Sequence, residues 1–231
     1  MAECGCNGTG WRLSPAGIVA CDCEIAQERQ RVQVRSRLAG LEQELGTLAS
    51  CTFATFDPDR PTQAVEWCGD TFSPYEQRES LRFAWRRAKA YADQPLGWLY
   101  LCGPYGSGKS HLAAATAHRL AERGHMIAYA STPDLLDFIR AGYDDGTAHE
   151  RLDTLKRVQV LILDDIAAEN ATDWTEEKLF VIVNARMLAQ RPTIFTSNVR
   201  IDALSGRIGS RIAGAAEELL VIAADYRKRG R

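Results

Sequence analysis

No stretch of this 231-residue sequence approaches the ~20 apolar residues that a bilayer-spanning helix needs. The strongest apolar runs, such as Val160-Leu161-Ile162-Leu163, are a fraction of that length, so no membrane span is expected. Surplus charge is also missing. With 28 Lys and Arg against 30 Asp and Glu, the formal net charge is −2, which excludes a wholesale polycation. Any contact with nucleic acid must then use a local basic strip. The first residues, Met1-Ala2-Glu3-Cys4, lack a basic stretch followed by an apolar core, which predicts no secretory signal and a cytoplasmic protein. Internal repeats and low-complexity tracts are absent too. Apolar and charged fractions of 45% and 25% are those of an ordinary globular chain, and the length suits one full α/β domain with a small appendage.

What is present is unevenly spread. Of seven cysteines, Cys4, Cys6, Cys21 and Cys23 crowd together, while Cys51, Cys68 and Cys102 stand alone. A reducing compartment argues against a disulfide framework. Two Cys pairs with 14 residues between them suit tetrahedral Zn²⁺, although one residue rather than the usual two separates the members of each pair. Reactive or unligated thiols are the other reading. A segment this short cannot hold itself by apolar burial, whereas a structural zinc ion can contribute on the order of 10 kcal/mol. Val34, Leu38, Leu41, Leu45 and Leu48 then recur at spacings of 4, 3, 4 and 3, which predicts a helix. Its apolar face either packs on the same chain or serves a partner. Residues 1–50 are therefore read as an N-terminal zinc-binding and helical module, and 51–231 as the main domain.

Pro58, Pro61 and Pro74 mark residues 51–74 as a connector. A helix is expected over 75–91, with Leu81, Ala84, Trp85, Ala88 and Tyr91 on its buried side. Strands are then expected at 98–102, 126–130, 158–163, 193–196 and 219–223. Helices alternate with them, with start signals at Thr132-Pro133, Thr147 with Glu150, and Asp173 with Glu176. This alternation implies a parallel sheet covered by helices on both faces.

Gly103-Pro104-Tyr105-Gly106-Ser107-Gly108-Lys109-Ser110 fits the phosphate-binding loop pattern in full, follows an apolar strand and opens a helix. That arrangement aims backbone N–H groups and a helix N-terminus at an anion. With His111 these residues form the candidate nucleotide contacts, Lys109 for the β- and γ-phosphates and Ser110 for Mg²⁺. A magnesium-triphosphate site also needs a carboxylate at a neighbouring strand end. Asp164 and Asp165 follow the 158–163 run. Asp164 would hold Mg²⁺ through its water shell and Asp165 would orient or deprotonate the attacking water. Two adjacent acids can also cap a helix, and Glu169 is a weaker candidate base. Asn198, at the tip of the next strand, can reach the same water. Arg207 and Arg211 share a helix face, which by residue type alone reads as a solvated surface.

Gly-Lys-Ser-His-Leu at 108–112, Leu-Asp-Asp-Ile-Ala-Ala-Glu at 163–169, Pro-Thr-Ile-Phe-Thr-Ser-Asn at 192–198 and Arg-Ile-Gly-Ser-Arg-Ile at 207–212 together resemble the AAA+ replicative helicase loaders of the DnaC/DnaI type. The resemblance covers roughly 51–223. It implies an α/β P-loop NTPase of AAA+ type, with a parallel sheet sandwiched by helices. Functionally it implies a homo-oligomer that binds ATP, hydrolyses it slowly and delivers a ring helicase onto single-stranded DNA. By the same resemblance Lys109, Asp165, Asn198 and Arg211 form the catalytic set. Asn198 looks like the sensor asparagine, and Arg211 like an arginine finger reaching a neighbouring subunit's γ-phosphate. Asp165 stands where most AAA+ ATPases carry Glu, and the 20 residues after Arg211 leave no room for a C-terminal lid domain. Residues 6–11 resemble the start of the zinc ribbon ahead of some phage-type loader domains. The implied division of labour has residues 1–50 grip the helicase and the ATPase domain touch DNA, with 227–231 as a basic tail. Two other readings remain: an ATPase helper of a transposase, and a nucleotide-switched adaptor that scarcely hydrolyses. Phe53 and Phe56 fall where similar proteins place adenine, and His111, His118 and His125 read as surface.

Overall fold

Four apolar runs become neighbouring parallel strands because each must be covered on both faces, and a fifth strand, Ala216–Leu220, joins them at one edge with Glu217 and Glu218 half-buried. The computed structural model describes residues 6, 11–14, 17–21, 23–24, 27–28, 31–32, 38, 42–60, 63–166, 172–204 and 206–226. Cys4, Val34, Leu41, Glu169 and the basic tail lie outside the described residues.

The sheet is built from β5 (Trp98–Cys102), β6 (Ile127–Ser131), β7 (Val160–Asp164), β8 (Thr193–Ser197) and β9 (Ala216–Leu220), in the order β6-β7-β8-β5-β9. Every pairing is parallel, and β5 and β8 are buried at every position. Side chains of successive residues leave opposite faces of a strand, so the strands feed two cores. Tyr100, Cys102, Leu161, Leu163 and Phe195 pack on one face with α4 (Thr132–Asp144), α5 (Ala148–Arg157) and α6 (Asp173–Leu188). Leu99, Leu101, Ile162 and Ile194 pack on the other with α2 (Pro74–Asp93) and α3 (Lys109–Glu122). On α3, Ala113, Ala114 and Ala117 let the helix axis come close to the strands. Among the described residues no helix is long and apolar enough to cross a membrane.

Before the sheet, β1 (Trp11–Ser14) pairs antiparallel with β2 (Gly17–Ala20), and α1 (Glu42–Thr47) follows. The leucine stripe meets its own chain: Leu38 is buried in the first core, and Leu45 and Leu48 pack against the second. The connector at 51–74 is not wholly irregular. Val65–Trp67 and Asp70–Phe72 form a hairpin, β3 and β4, whose turn residues Cys68 and Gly69 both have positive φ, at 53° and 85°. A left-handed pair of this kind matches the twist of the strands it joins.

Three helix starts differ from expectation. Ser131, not Thr132, caps α4 by accepting the Asp134 N–H, because Thr132 is already helical and Pro133 needs no N–H partner. Thr147 makes no side-chain cap on α5: its hydroxyl oxygen accepts from Arg151 Nε at 2.8 Å instead, and its hydrogen goes to Asp145. Thr172 and Thr175 form the reciprocal cap of α6, one residue before the expected acids. The last strand begins and ends earlier, at Ala216–Leu220, and Val221, Ile222 and Ala223 remain buried beyond it. His111 and His118 are half-buried rather than surface residues, and their ring N–H groups donate to Thr52 O at 2.9 Å and Leu48 O at 3.0 Å.

Candidate nucleotide-binding site

Strand order decides which loops meet. The chain enters the sheet at β5 and places β8 beside it, with β7 beyond, so residues 103–110, Asp164-Asp165 and Asn198 emerge along one carboxyl edge. Ligands of open α/β sheets sit in this crevice. Lys109, which opens α3, is buried, and its Nζ donates to Gly103 O at 2.9 Å and Pro104 O at 2.8 Å. The ammonium thus rests on the loop's own carbonyls. Gly106 has φ +67°, and a Cβ there would lie 1.8 Å from Asp225 Oδ1, so both backbone conformation and space demand glycine.

Asp164 is held by three hydroxyls. Ser110 Oγ donates to its Oδ1 at 3.0 Å, Tyr129 Oη donates to Oδ2 at 2.9 Å, and Thr196 Oγ1 also donates to Oδ1. The facing Ser110 hydroxyl and Asp164 carboxylate are hard oxygen donors at the mouth of a phosphate loop, a donor set that fits Mg²⁺ with most of its waters retained. Asp165 takes a left-handed backbone, φ 58°, fixed by its N–H bond to Thr196 Oγ1 at 2.9 Å. Asn198 Nδ2 donates to Asp165 Oδ1 at 3.0 Å. Burial pushes the Asp165 carboxyl above the usual carboxylate range, the Asp164 charge adds to this, and Lys109 opposes it. The expected Lys109, Ser110, Asp164, Asp165 and Asn198 are therefore brought together. Tyr129 and Thr196 are additions: each lies on a different strand from Asp164, and only the strand order reveals them.

Segments from before and after the sheet strap the loop. The Arg60 guanidinium donates to Ser107 O and lies 5.9 Å from the Phe56 ring centroid and 5.5 Å from that of Tyr226. Tyr226 N–H donates to Gly106 O at 3.1 Å. Phe56 meets His111 edge-on at 5.3 Å and lies 2.9 Å from where a Gly108 Cβ would be. Burial lowers the His111 pKa, the Thr52 carbonyl opposes and the Arg60 charge adds, which favours the neutral imidazole that donates to Thr52. Phe53 instead packs edge-on to Trp85, 6.2 Å away.

Among the described residues, Arg207 and Arg211 make no hydrogen bond or ion pair with this loop. Both belong to α7 (Gly206–Ala215), and both guanidiniums lie over Phe180 of α6, at 4.3 and 4.4 Å from the ring centroid. In the N-terminal part, pairing of Trp11 with Ala20 brings the chain back on itself. Cys6 Sγ and Cys23 Sγ are 3.5 Å apart, and the sulfurs of Cys6, Cys21 and Cys23 all lie within 4.8 Å of one another. Thiolates bound tetrahedrally to zinc at ~2.3 Å stand about 3.8 Å apart, so this donor set fits zinc.

A parallel sheet in this strand order, with a phosphate loop after β5, paired acids after β7 and a polar tip on β8, defines a P-loop protein of the AAA+ type. The chain belongs to the family of IstB-like ATP binding proteins, which matches residues 91–216. It is 34% identical over 122 residues to the replicative helicase loader DnaI of Bacillus subtilis, covering 52% of this chain and 39% of the loader. It is 35% identical over 98 residues to an ATP-binding protein of an insertion sequence from Mycobacterium tuberculosis, covering 42% of this chain and 39% of that protein. The chain thus matches well under half the length of either relative. The crystal structure of DnaI superposes with a TM-score of 0.55 at 30% identity, covering 62% of this chain and 85% of that one.

Proposed function

We propose that this protein is an ATPase, active as a homo-oligomer, that loads a replicative ring helicase onto single-stranded DNA. The observation that carries the reading is the division of the catalytic groups. Lys109, Ser110, Asp164, Asp165 and Asn198 converge at one sheet edge, whereas among the described residues Arg211 has its hydrogen bonds and its ring contact on α6 and α7. A site built this way is complete only when a second copy supplies the arginine. Bound Mg²⁺ would supply charge neutralisation at the β- and γ-oxygens. Ser110 and Asp164 hold that position, Lys109 leaves its loop carbonyls for the phosphates, and Asp165, oriented by Asn198, takes up the proton of the attacking water. The thiols of Cys6, Cys21 and Cys23, with Cys4 as fourth ligand, hold zinc, and residues 1–50 grip the helicase. The similarity to DnaI supports the helicase as partner. Similarity to an insertion-sequence protein favours a second reading, an ATPase helper of a transposase.

The test uses the full chain. Turnover stimulated by single-stranded DNA and abolished by both Lys109→Ala and Arg211→Ala is expected, and mixing the two variants should restore part of it. Capture of purified replicative helicase, and not of transposase, is expected in ATP. Capture of the transposase alone would move the assignment to the second reading, and absence of nucleotide binding would overturn both.

A further inference from the structure

Arg207 and Arg211 sit on a built platform. One ring, that of half-buried Phe180, lies under both guanidiniums, 4.3 Å from Arg207 and 4.4 Å from Arg211. One turn further along α6, Asn184 Oδ1 accepts from Arg211 Nε at 2.9 Å, and Arg211 Nη1 donates to Arg207 O at 3.2 Å. Among the described residues neither arginine forms an ion pair. Glu176 is near, 3.6 Å from where a Gly206 Cβ would be, but neutralises neither.

Two like charges four residues apart on one helix repel each other. Stacking on an aromatic face offsets part of that repulsion and holds each guanidinium plane, while the side-chain amide fixes the rotation of Arg211 without cancelling its charge. An anion that accepts from both guanidiniums would offset the repulsion that remains. We propose that Phe180 and Asn184 are positioning residues that hold Arg207 and Arg211 as a paired receptor for the terminal phosphate of a triphosphate bound to a second copy of this chain. The inference rests on the shared-site reading above and extends it: both arginines engage the phosphate, and α6 holds them ready.

Asn184→Asp separates this role from a merely structural one. The carboxylate would grip Arg211 more strongly and neutralise it, so the melting temperature should hold or rise while turnover falls about tenfold or more. Phe180→Leu should lose turnover to a similar extent, with nucleotide affinity and melting temperature close to wild type, and Phe180→Tyr, which keeps the ring, should retain activity. The Phe180→Leu protomer still owns an intact phosphate loop, so mixing it with Lys109→Ala, whose arginines are intact, should restore turnover. Full activity of Arg211→Ala would defeat the shared-site reading itself. If Arg211→Ala is inactive while Asn184→Asp or Phe180→Leu turns over normally, or if Phe180→Leu is not rescued by Lys109→Ala, the platform is overturned. Should Phe180→Leu fail to fold, Asn184→Asp decides alone.

Discussion

Asp165 carries two unfavourable features at once: a left-handed backbone, and a carboxyl held above its ordinary range by burial and by Asp164. Folding therefore favours its protonated form. That contribution is complete below the unfolded carboxylate pKa of ~4 and is lost as the pH rises through the folded value. Asparagine is always neutral, tolerates the left-handed region and still accepts from Asn198. Asp165→Asn should therefore abolish turnover yet melt higher than wild type at pH 7, and the gap should close as the pH falls to about 4. Melting curves on both proteins across that range check the sign. Tyr129→Phe removes one of the hydroxyls on Asp164 and is expected to raise the Mg²⁺ concentration for half-maximal turnover about tenfold. Nucleotide binding measured without Mg²⁺ should not change. Lys109, Ser110, Asp164 and Asp165 were legible in the sequence because their spacing within a strand-loop unit carries the chemistry. Tyr129, Thr196, Arg60 and Tyr226 were not, since each reaches the site from another element and no local spacing records which strands become neighbours.

At the scale of the element, α6 holds a charge where a hydrophobe would be usual. Leu179, Ile182, Val183 and Arg186 follow the spacing of a buried helical stripe, and Arg186 is fully buried. Its N–H groups donate to Leu155 O at 3.0 Å, Val158 O at 2.9 Å, Pro192 O at 2.6 Å and Thr193 Oγ1 at 2.9 Å. Burial pulls its pKa down to about 9, which leaves it charged at neutral pH. Carbonyl dipoles from the end of α5 and the start of β8 thus replace a carboxylate and tie both elements to α6. Arg186→Met keeps much of the volume but leaves those buried oxygens without a donor, and should cost about 3–5 kcal/mol in a urea titration. Arg186→Lys, with a point charge in place of a fork, should recover only part of this. The stripe spacing was a signal for Arg186 that residue type concealed. Helix starts differ by one residue at α4 and α6 because Ser131 stands beside Thr132 and Thr172 beside Asp173, and which of two adjacent side-chain oxygens caps the helix is decided only in three dimensions.

Across the whole molecule, the segment that precedes the sheet is tied to it. Leu38, Leu45 and Leu48 pack on the two cores, and the Leu48 and Thr52 carbonyls accept from His118 and His111 of α3. The helix carrying the phosphate loop therefore leans on the segment that joins it to the cysteine cluster. Two truncations should separate helicase binding from core stability. Removing residues 1–23 takes away the zinc ligands and leaves these leucines in place, so melting temperature and nucleotide affinity should stay near wild type while helicase capture is lost. Removing residues 1–50 also strips the three leucines, at ~1.5–3 kcal/mol for each that is fully buried, and should lower the melting temperature by several degrees. Chelating the zinc from the intact chain should reproduce the shorter truncation, with one zinc per chain released by elemental analysis. Undiminished helicase capture after loss of residues 1–23 or after chelation would move the grip away from the cysteine cluster, and an unchanged melting temperature after loss of residues 1–50 would show that the leucines contribute nothing to the fold.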